Sequence, residues 1–396
     1  MSRSFILAVA GLLLAEAATA QVRELPTPAA AGSLVPNLYS ATDGRVFLSW
    51  IERQDHGHAV LRFAARTGDG WSAPRVIAEG ADWFVNWADF PSMIALPDGR
   101  LAAHWLVKNP SAPHAYDVRI ALSADGGEHW SESLVPHRDG TATEHGFVSM
   151  FTAPDGQLAA AWLDGRNSPP ESDGQAQGGG EMTLRYAAIG RDSRPYDEIQ
   201  IDGRVCDCCQ TSAAMTAEGP VVVYRDRSRL EVRDISVARL RDGRWDEPRA
   251  LPADQWRIEG CPVNGPAVAA NGRRVAVAWF SAANDAPRVR LAFSTDAGAS
   301  FGIPVTVDDG NPQGRADVVL LDDGSAVVSW VESSPDGSSL RVRRVRPDGE
   351  PGAATIVVPA DGKLANGFPQ LARDGEGRLL LAWTAGRVRT AVVPVP

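Results

Sequence analysis

Short apolar stretches with polar residues alternating through them run along the chain. Seven times they fall into one order: an apolar strand, a tight polar turn, and a second apolar strand ending in an aromatic residue. The aromatics are Trp50, Trp105, Trp162, Tyr224, Trp279, Trp330 and Trp383, and successive ones lie 51 to 62 residues apart. The turn is Asp-Gly in a single register at Asp43-Gly44, Asp98-Gly99, Asp155-Gly156 and Asp323-Gly324, with Glu218-Gly219, Asn271-Gly272 and Glu376-Gly377 elsewhere. Such turns need a positive φ, which glycine adopts without penalty. Alternation recurs in third strands, as at residues 288–294 and 340–345, and helical periodicity is nowhere sustained. One four-stranded sheet fits each repeat, and radial repetition of such sheets limits open edges, so the pattern predicts an all-β fold, a β-propeller of four-stranded blades. Seven blades is the favoured count; six follows if the first and last units share a sheet. The last repeat runs out near Pro396 after three strands. Residues 22–27 are placed to supply its outer strand, closing the ring by pairing the N- and C-terminal strands.

Strand direction alternates, so the Asp-Gly turns and the turns after strand 3 share one face. Entries to strand 1 and turns after strand 2 share the other, where functional residues are expected. On the first face, Ser123-Ala124-Asp125-Gly126-Gly127-Glu128-His129-Trp130 and Ser294-Thr295-Asp296-Ala297-Gly298-Ala299-Ser300-Phe301 both read Ser-x-Asp-x-Gly-x-x-aromatic. Asp69-Gly70-Trp71 and Asp242-Gly243-Arg244-Trp245 look like reduced copies. This pattern resembles the Asp box, the bacterial neuraminidase repeat of the sialidase-like β-propeller superfamily, and the resemblance covers nearly the whole mature chain. Asp can bond turn amides while the aromatic packs beneath, which staples a fold without doing chemistry. Catalytic members of that superfamily carry an arginine triad, a Tyr nucleophile helped by a Glu, and an Asp acid/base, with the first arginine in an Arg-Ile-Pro or Arg-Leu-Pro motif. Here Arg23 is followed by Glu24-Leu25-Pro26, and the last tyrosine, Tyr224, occupies a structural position of the repeat. No catalytic residue is carried over, and the expectation is a sialidase-like propeller that is not a standard catalytic sialidase.

All four cysteines fall on the second face. Cys206, Cys208 and Cys209 precede strand 1 of the fourth repeat, and Cys261 precedes strand 1 of the fifth. Cys206 and Cys261 each lie 18 residues before their repeat's aromatic, so the two loops should meet near the ring's axis. Three readings stay open. Disulfides are the usual state in an exported chain, with Cys206, Cys208 or Cys209 bridging to Cys261. A soft-metal site for copper or zinc is the second, with His145 of the preceding repeat as a further ligand. A reactive thiol or redox pair is the third.

Around the same mouth lie Trp83, Trp87, Glu144, Gln210, Asn264 and Arg315, and the turns after strand 2 add Asp164, Arg166, Arg225 and Asp226. Carboxylates among aromatics and arginines suit an acidic sugar. Trp83, Trp87, Arg166, Gln210 and Asn264 are the candidate ligand-binding residues. Asp164, Asp226, Glu144, Arg225 and Arg315 are the catalytic candidates if the chain is a glycoside hydrolase. A glycine-rich segment at 165–180 reads as a lid or an insertion. The leading expectation is a propeller that binds a small molecule, glycan or metal at a Cys-rich mouth; the alternatives are a sialidase-type glycoside hydrolase and a protein-interaction scaffold with disulfide-stapled loops.

Composition narrows the setting. Residues 1–20 hold one positive charge at Arg3, an apolar run at 5–14, and Ala18-Thr19-Ala20 before Gln21, the pattern of a secretory signal. The expected layout is a signal peptide at 1–20, an N-terminal segment and closing strand at 21–35, and the propeller at 36–396, in the periplasm or secreted. No later stretch is apolar enough to insert in a membrane. Net charge is −10 at pH 7 with no basic stripe, which removes the counterion-release drive for nucleic-acid binding.

Overall fold

The computed structural model describes residues 21–112, 114–168, 181–252 and 254–395. Residues 1–20, where a signal peptide is expected, and most of the glycine-rich segment, 169–180, lie outside the described residues. Nearly all regular structure is strand, with two single-turn 3-10 helices at Asp55–Gly57 and Ala283–Asp285. Among the described residues no helix is long and apolar enough to cross a membrane.

Seven antiparallel sheets form the seven blades of a propeller. The first, or inner, strands of blades 1 to 7 are Leu34–Ser40, Ser92–Ala95, His145–Thr152, Ser212–Thr216, Ala267–Asn271, Pro312–Leu320 and Gln370–Arg373. Blade 7 takes its outer strand from the other chain end: Arg23–Leu25 pairs with Val388–Val393, as the sequence pattern anticipated. Leu25 then packs with Trp50 and Val388 across the closure. In blade 2 the outer strand shrinks to one bridge, Ile120 with Leu134. Pro136, with no N–H to donate, follows closely.

The turn chemistry explains the repeats. Gly44 and Gly99 adopt φ of 85° and 88°, and the preceding aspartates cap their turns by accepting the amides of Arg45 and Arg100. The Ser-x-Asp-x-Gly loops make one bonding pattern twice. Ser123 Oγ accepts the Gly127 amide and Asp125 the His129 amide; Ser294 and Asp296 do the same for Gly298 and Ser300. The repeat aromatics fill the core: Trp50, Trp162, Tyr224 and Trp330 are fully buried. A buried indole N–H needs an acceptor, and Trp50 and Trp330 find one two residues on, at Glu52 (2.9 Å) and Glu332 (2.6 Å).

Neighbouring blades are tied at the axis by polar side chains. The amides of Met93, Phe147, Gly265, Arg315 and Leu371 donate to Asn37, Asp89, Gln210, Asn264 and Asp317, each in the preceding blade or its entry loop. Ser149 bonds Thr211 between blades 3 and 4, and Asn37 bonds Gln370 between blades 1 and 7. Every joint of the ring is thereby bridged. Inside it runs a polar axial channel of about 260 Å³, lined by Asn37, Ser92, Ser149, Gln210 and Asp317 among others.

Burial pushes the Asp89 carboxyl up to about 7, with Glu144 reinforcing the rise against hydrogen bonds from Phe147 and Tyr116. Burial likewise lifts Asp317 to about 6. A carboxyl raised in the folded state holds its proton where the unfolded chain has lost it, so stability falls as pH climbs from the unfolded value through the folded one. We expect Asp89→Asn to gain stability relative to wild type as pH rises from about 4 to about 7, in urea titrations at several pH values. Parallel pH profiles for the two proteins would contradict this assignment.

Candidate functional site

The cysteine loops enter blades 4 and 5 side by side. Cys208 and Cys261 form a disulfide with a Cα separation of 5.9 Å, so of the sequence alternatives the bridge from Cys208 is the one made. Cys206 and Cys209 are free and buried. The selection follows from backbone placement: the Cys206 amide bonds the carbonyl of Arg225 at the end of blade 4's second strand, turning its side chain into the interior, while Cys208 is only half-buried. Contact between the loops is intimate. A Cβ on Gly265 would stand 1.9 Å from the Gln210 carbonyl oxygen, so only glycine fits there.

Four sulfurs crowd this junction. Cys206 Sγ lies 3.1 Å from Cys209 Sγ and 3.8 Å from Cys208 Sγ. Arg233 brings Nη1 to 3.4 Å from Cys206 Sγ and also bonds Asp207 and Glu231. The hydrogen bond shared with Cys209 lowers the Cys206 thiol well below its ordinary range against the effect of burial, with Arg225 and Arg233 adding to the fall. Burial drives Cys209 the other way. The sulfurs of Cys206, Cys208 and Cys209 are close enough to share an ion. With Cys208 in the disulfide, however, only two of the three are available as thiolates.

His145, the proposed fifth ligand, belongs to another group. Its ring stacks on His137 at 3.7 Å and 3°. Asp139 Oδ1 sits 3.3 Å from a nitrogen of each imidazole. Asp164 is wholly buried, accepting the Trp162 indole at 2.8 Å and two bonds from Arg166 at 2.7 Å. It repeats in blade 3 what Glu52 and Glu332 do in blades 1 and 6. Burial opposes its charge, but Arg166 prevails, helped by His145 and Trp162, and the carboxyl stays below the usual range. Arg166 also pairs with Glu198 at 2.7 Å. Burial works against a charge on His145 too, but Asp139, Asp164 and Asp117 outweigh it and raise its pKa, while burial and the His145 charge lower His137 to about 4. His137, Asp139 and Glu198 were not singled out by the sequence: they lie in a connector and an outer strand, where the repeat assigns no special position.

The remaining candidates divide between bracing and open positions. Arg225 donates to the carbonyls of Asn264, Arg233 and Phe280, and lies over Trp256 at 4.9 Å. Asn264 donates to Gln313 and Pro262 as well as accepting from Arg315, and Gln210 holds Gly265. Asp226 accepts Ser236 and the Arg227 amide, and burial followed by the nearby Asp202 charge raises its pKa. Trp83 is buried and stacks on Trp105 at 5.5 Å. Glu144 bridges Tyr116 through its backbone at the joint of blades 2 and 3.

Trp87 and Arg315 come together from opposite sides of the ring. Trp87 lies nearly parallel to Phe368 at 6.0 Å, and the Arg315 guanidinium stands 4.9 Å from the Trp87 ring centroid. Arg315 occupies a bulge in the inner strand of blade 6, at φ 54°. Matching bulges in blades 1 and 3 carry the apolar Val35 and Phe147 at φ 49° and 51°. A bulge re-aims its side chain, and a left-handed non-glycine residue is strained. Among the described residues the Arg315 guanidinium makes one side-chain hydrogen bond, to Asn366 at 3.3 Å, and no ion pair. Its pKa is lowered by burial alone.

No family model matches the chain, and no curated protein does. Solved structures do. An α-L-arabinanase of Penicillium chrysogenum, complexed with arabinobiose, aligns over 94% of this chain and 98% of its own at TM-score 0.52 and 14% identity. A protein of unknown function from Dyadobacter fermentans aligns over 95% and 97% at TM-score 0.51 and 13% identity. The NanB sialidase of Streptococcus pneumoniae aligns over 91% and 68%, at 10% identity and a TM-score of 0.48. At these identities the likeness is one of fold, and the fold this chain shares with the arabinanase is the β-propeller.

Proposed function

We propose that this chain is an exported, carbohydrate-binding propeller that takes an anionic, carboxylate-bearing sugar at its axial mouth. The observation that carries the reading is Arg315: a partly desolvated guanidinium at the mouth, over an aromatic ring, with no carboxylate partner among the described residues. Arginine's planar donors match a carboxylate in two parallel bonds, and a half-buried cation without a counter-charge favours an anionic ligand. Trp87, partly exposed and backed by the buried Phe368, adds the flat apolar surface that a sugar ring packs against. Arg225, by contrast, has its donors committed to carbonyls. The arabinanase of like fold was solved with a sugar, which agrees with a carbohydrate as the ligand class.

In this reading the Cys208–Cys261 disulfide joins the loops of blades 4 and 5 at the rim of the mouth, and a disulfide suits an oxidising compartment. Export predicts that protein isolated from its native compartment begins at Gln21; an N-terminus retaining residues 1–20 would contradict it.

Binding is tested by calorimetric titration with uronate-containing oligosaccharides and with neutral arabino-oligosaccharides as comparison. Wild type should prefer the uronates, and Arg315→Ala should weaken them at least about tenfold while leaving any neutral-sugar binding little changed. Trp87→Ala should weaken both classes. Equal uronate affinity in wild type and Arg315→Ala, or no saccharide bound by wild type, would overturn the proposal. Release of reducing ends in the same mixtures would extend the reading from binding to glycoside cleavage.

A further inference from the structure

Sugar recognition at Arg315 makes no use of the buried sulfurs beside the mouth. Cys208 and Cys261 are already joined, and Cys261 is the exposed member of the pair. Behind them Cys206 holds its sulfur 3.8 Å from the Cys208 sulfur, close to van der Waals contact. Cys209 stands on its other side at 3.1 Å, and Arg233 Nη1 presents a fixed positive charge at 3.4 Å. Thiol–disulfide exchange needs a thiol that ionises, a disulfide sulfur within contact distance, and a leaving sulfur with somewhere to go. All three are present. Arg233 and the neighbouring sulfhydryl favour the Cys206 thiolate, Cys208 is the sulfur within reach, and Cys261 leaves toward solvent. A pair of structural staples would need neither the two unpaired thiols nor the guanidinium.

We propose that the four cysteines form a thiol–disulfide exchange centre, in which Cys206 attacks Cys208 and frees Cys261 at the surface to engage an external disulfide. The internal step is an isomerisation and needs no oxidant. Cys206 loses its proton to water, the Cys206–Cys208 bond forms as the Cys208–Cys261 bond breaks, and the electron pair departs on the Cys261 sulfur. The released thiolate then attacks one sulfur of an external disulfide. A mixed disulfide forms at Cys261, and the partner's second sulfur leaves as a thiolate. Cys209 takes no covalent part; its sulfhydryl supports the Cys206 thiolate.

The test uses the full exported protein, unreduced and folded, treated with iodoacetamide and mapped by mass spectrometry of its cysteine peptides. Wild type should accumulate label on Cys261 together with a Cys206–Cys208 link. Cys206→Ser and Cys206→Ala should each keep the Cys208–Cys261 link, which reports that the two loops still meet, yet label Cys261 at least about tenfold more slowly. Cys209→Ser should still trap Cys261. Glutathione disulfide as a second probe should give a mixed disulfide at Cys261 in wild type and not in the Cys206 variants. Four results would overturn the proposal: no labelling of Cys261 in wild type, equal rates in the Cys206 variants, loss of the Cys208–Cys261 link in both of those variants, or four titratable thiols with stoichiometric copper or zinc. The last would make the cluster a metal site. None of these readouts involves sugar, so failure here leaves the carbohydrate reading standing.

Discussion

Seven sheets packed face to face form a ring of fixed geometry only if each is tied to the next, and in this protein the tie is a polar side chain at the inner edge of one blade that satisfies a backbone group of its neighbour. Asn37, Asp89, Gln210, Asn264 and Asp317 accept amides of the following blade around the axis, and the terminal strands complete the circuit on the outside. Buried amides left unpaired are destabilising, so each joint is held to one geometry rather than left to apolar packing alone, which is non-directional. That geometry places the entry loops, and the entry loops are the mouth. The close approach of Gly265 to Gln210 and the Cys208–Cys261 disulfide are consequences of the same joint between blades 4 and 5.

Much of the architecture was legible in the sequence because it is periodic. Turn glycines, strand aromatics and Ser-x-Asp-x-Gly loops recur at matched positions, so each copy supports the others, and the missing seventh outer strand could be traced to residues near Arg23. Cys206 and Cys261 were placed in neighbouring loops by the same counting. Side-chain partners were less legible, since they depend on contacts between blades that no local spacing encodes. Gln210 and Asn264 read as ligand-binding polar residues, whereas both complete inter-blade bonds. Asp164 read as a catalytic carboxylate, whereas its oxygens accept the Trp162 indole and the Arg166 guanidinium. The recurrence of an acid two residues after Trp50, Trp162 and Trp330 was the signal for that role. The repeat placed Arg315 at the mouth, but not the direction of its side chain, which is set by a bulge whose equivalents carry valine and phenylalanine.

The mouth thus presents two distinct side-chain clusters on one scaffold. Across the ring, Trp87 and Arg315 form an aromatic and cationic surface without a counter-charge among the described residues. Beside the joint of blades 4 and 5, buried sulfurs face a disulfide whose outer member is exposed. Both depend on loops whose positions follow from the inter-blade ties, and neither requires the interior of a blade to move. The buried His137, His145, Asp139 and Asp164 group of blade 3 stands apart from them, closed off by Arg166 and Glu198.

The central claim is that the axial ties act as one ring. Native-state amide hydrogen exchange at Met93, Phe147, Gly265, Arg315 and Leu371 tests it most directly, because each of these amides is the donor in one joint. The account predicts that all five exchange only through global unfolding, with a common free energy that equals the one from denaturant titration. Exchange of any of the five at a much lower free energy, with the others still protected, would show that the blades open one at a time and that the mouth is not held by a continuous ring.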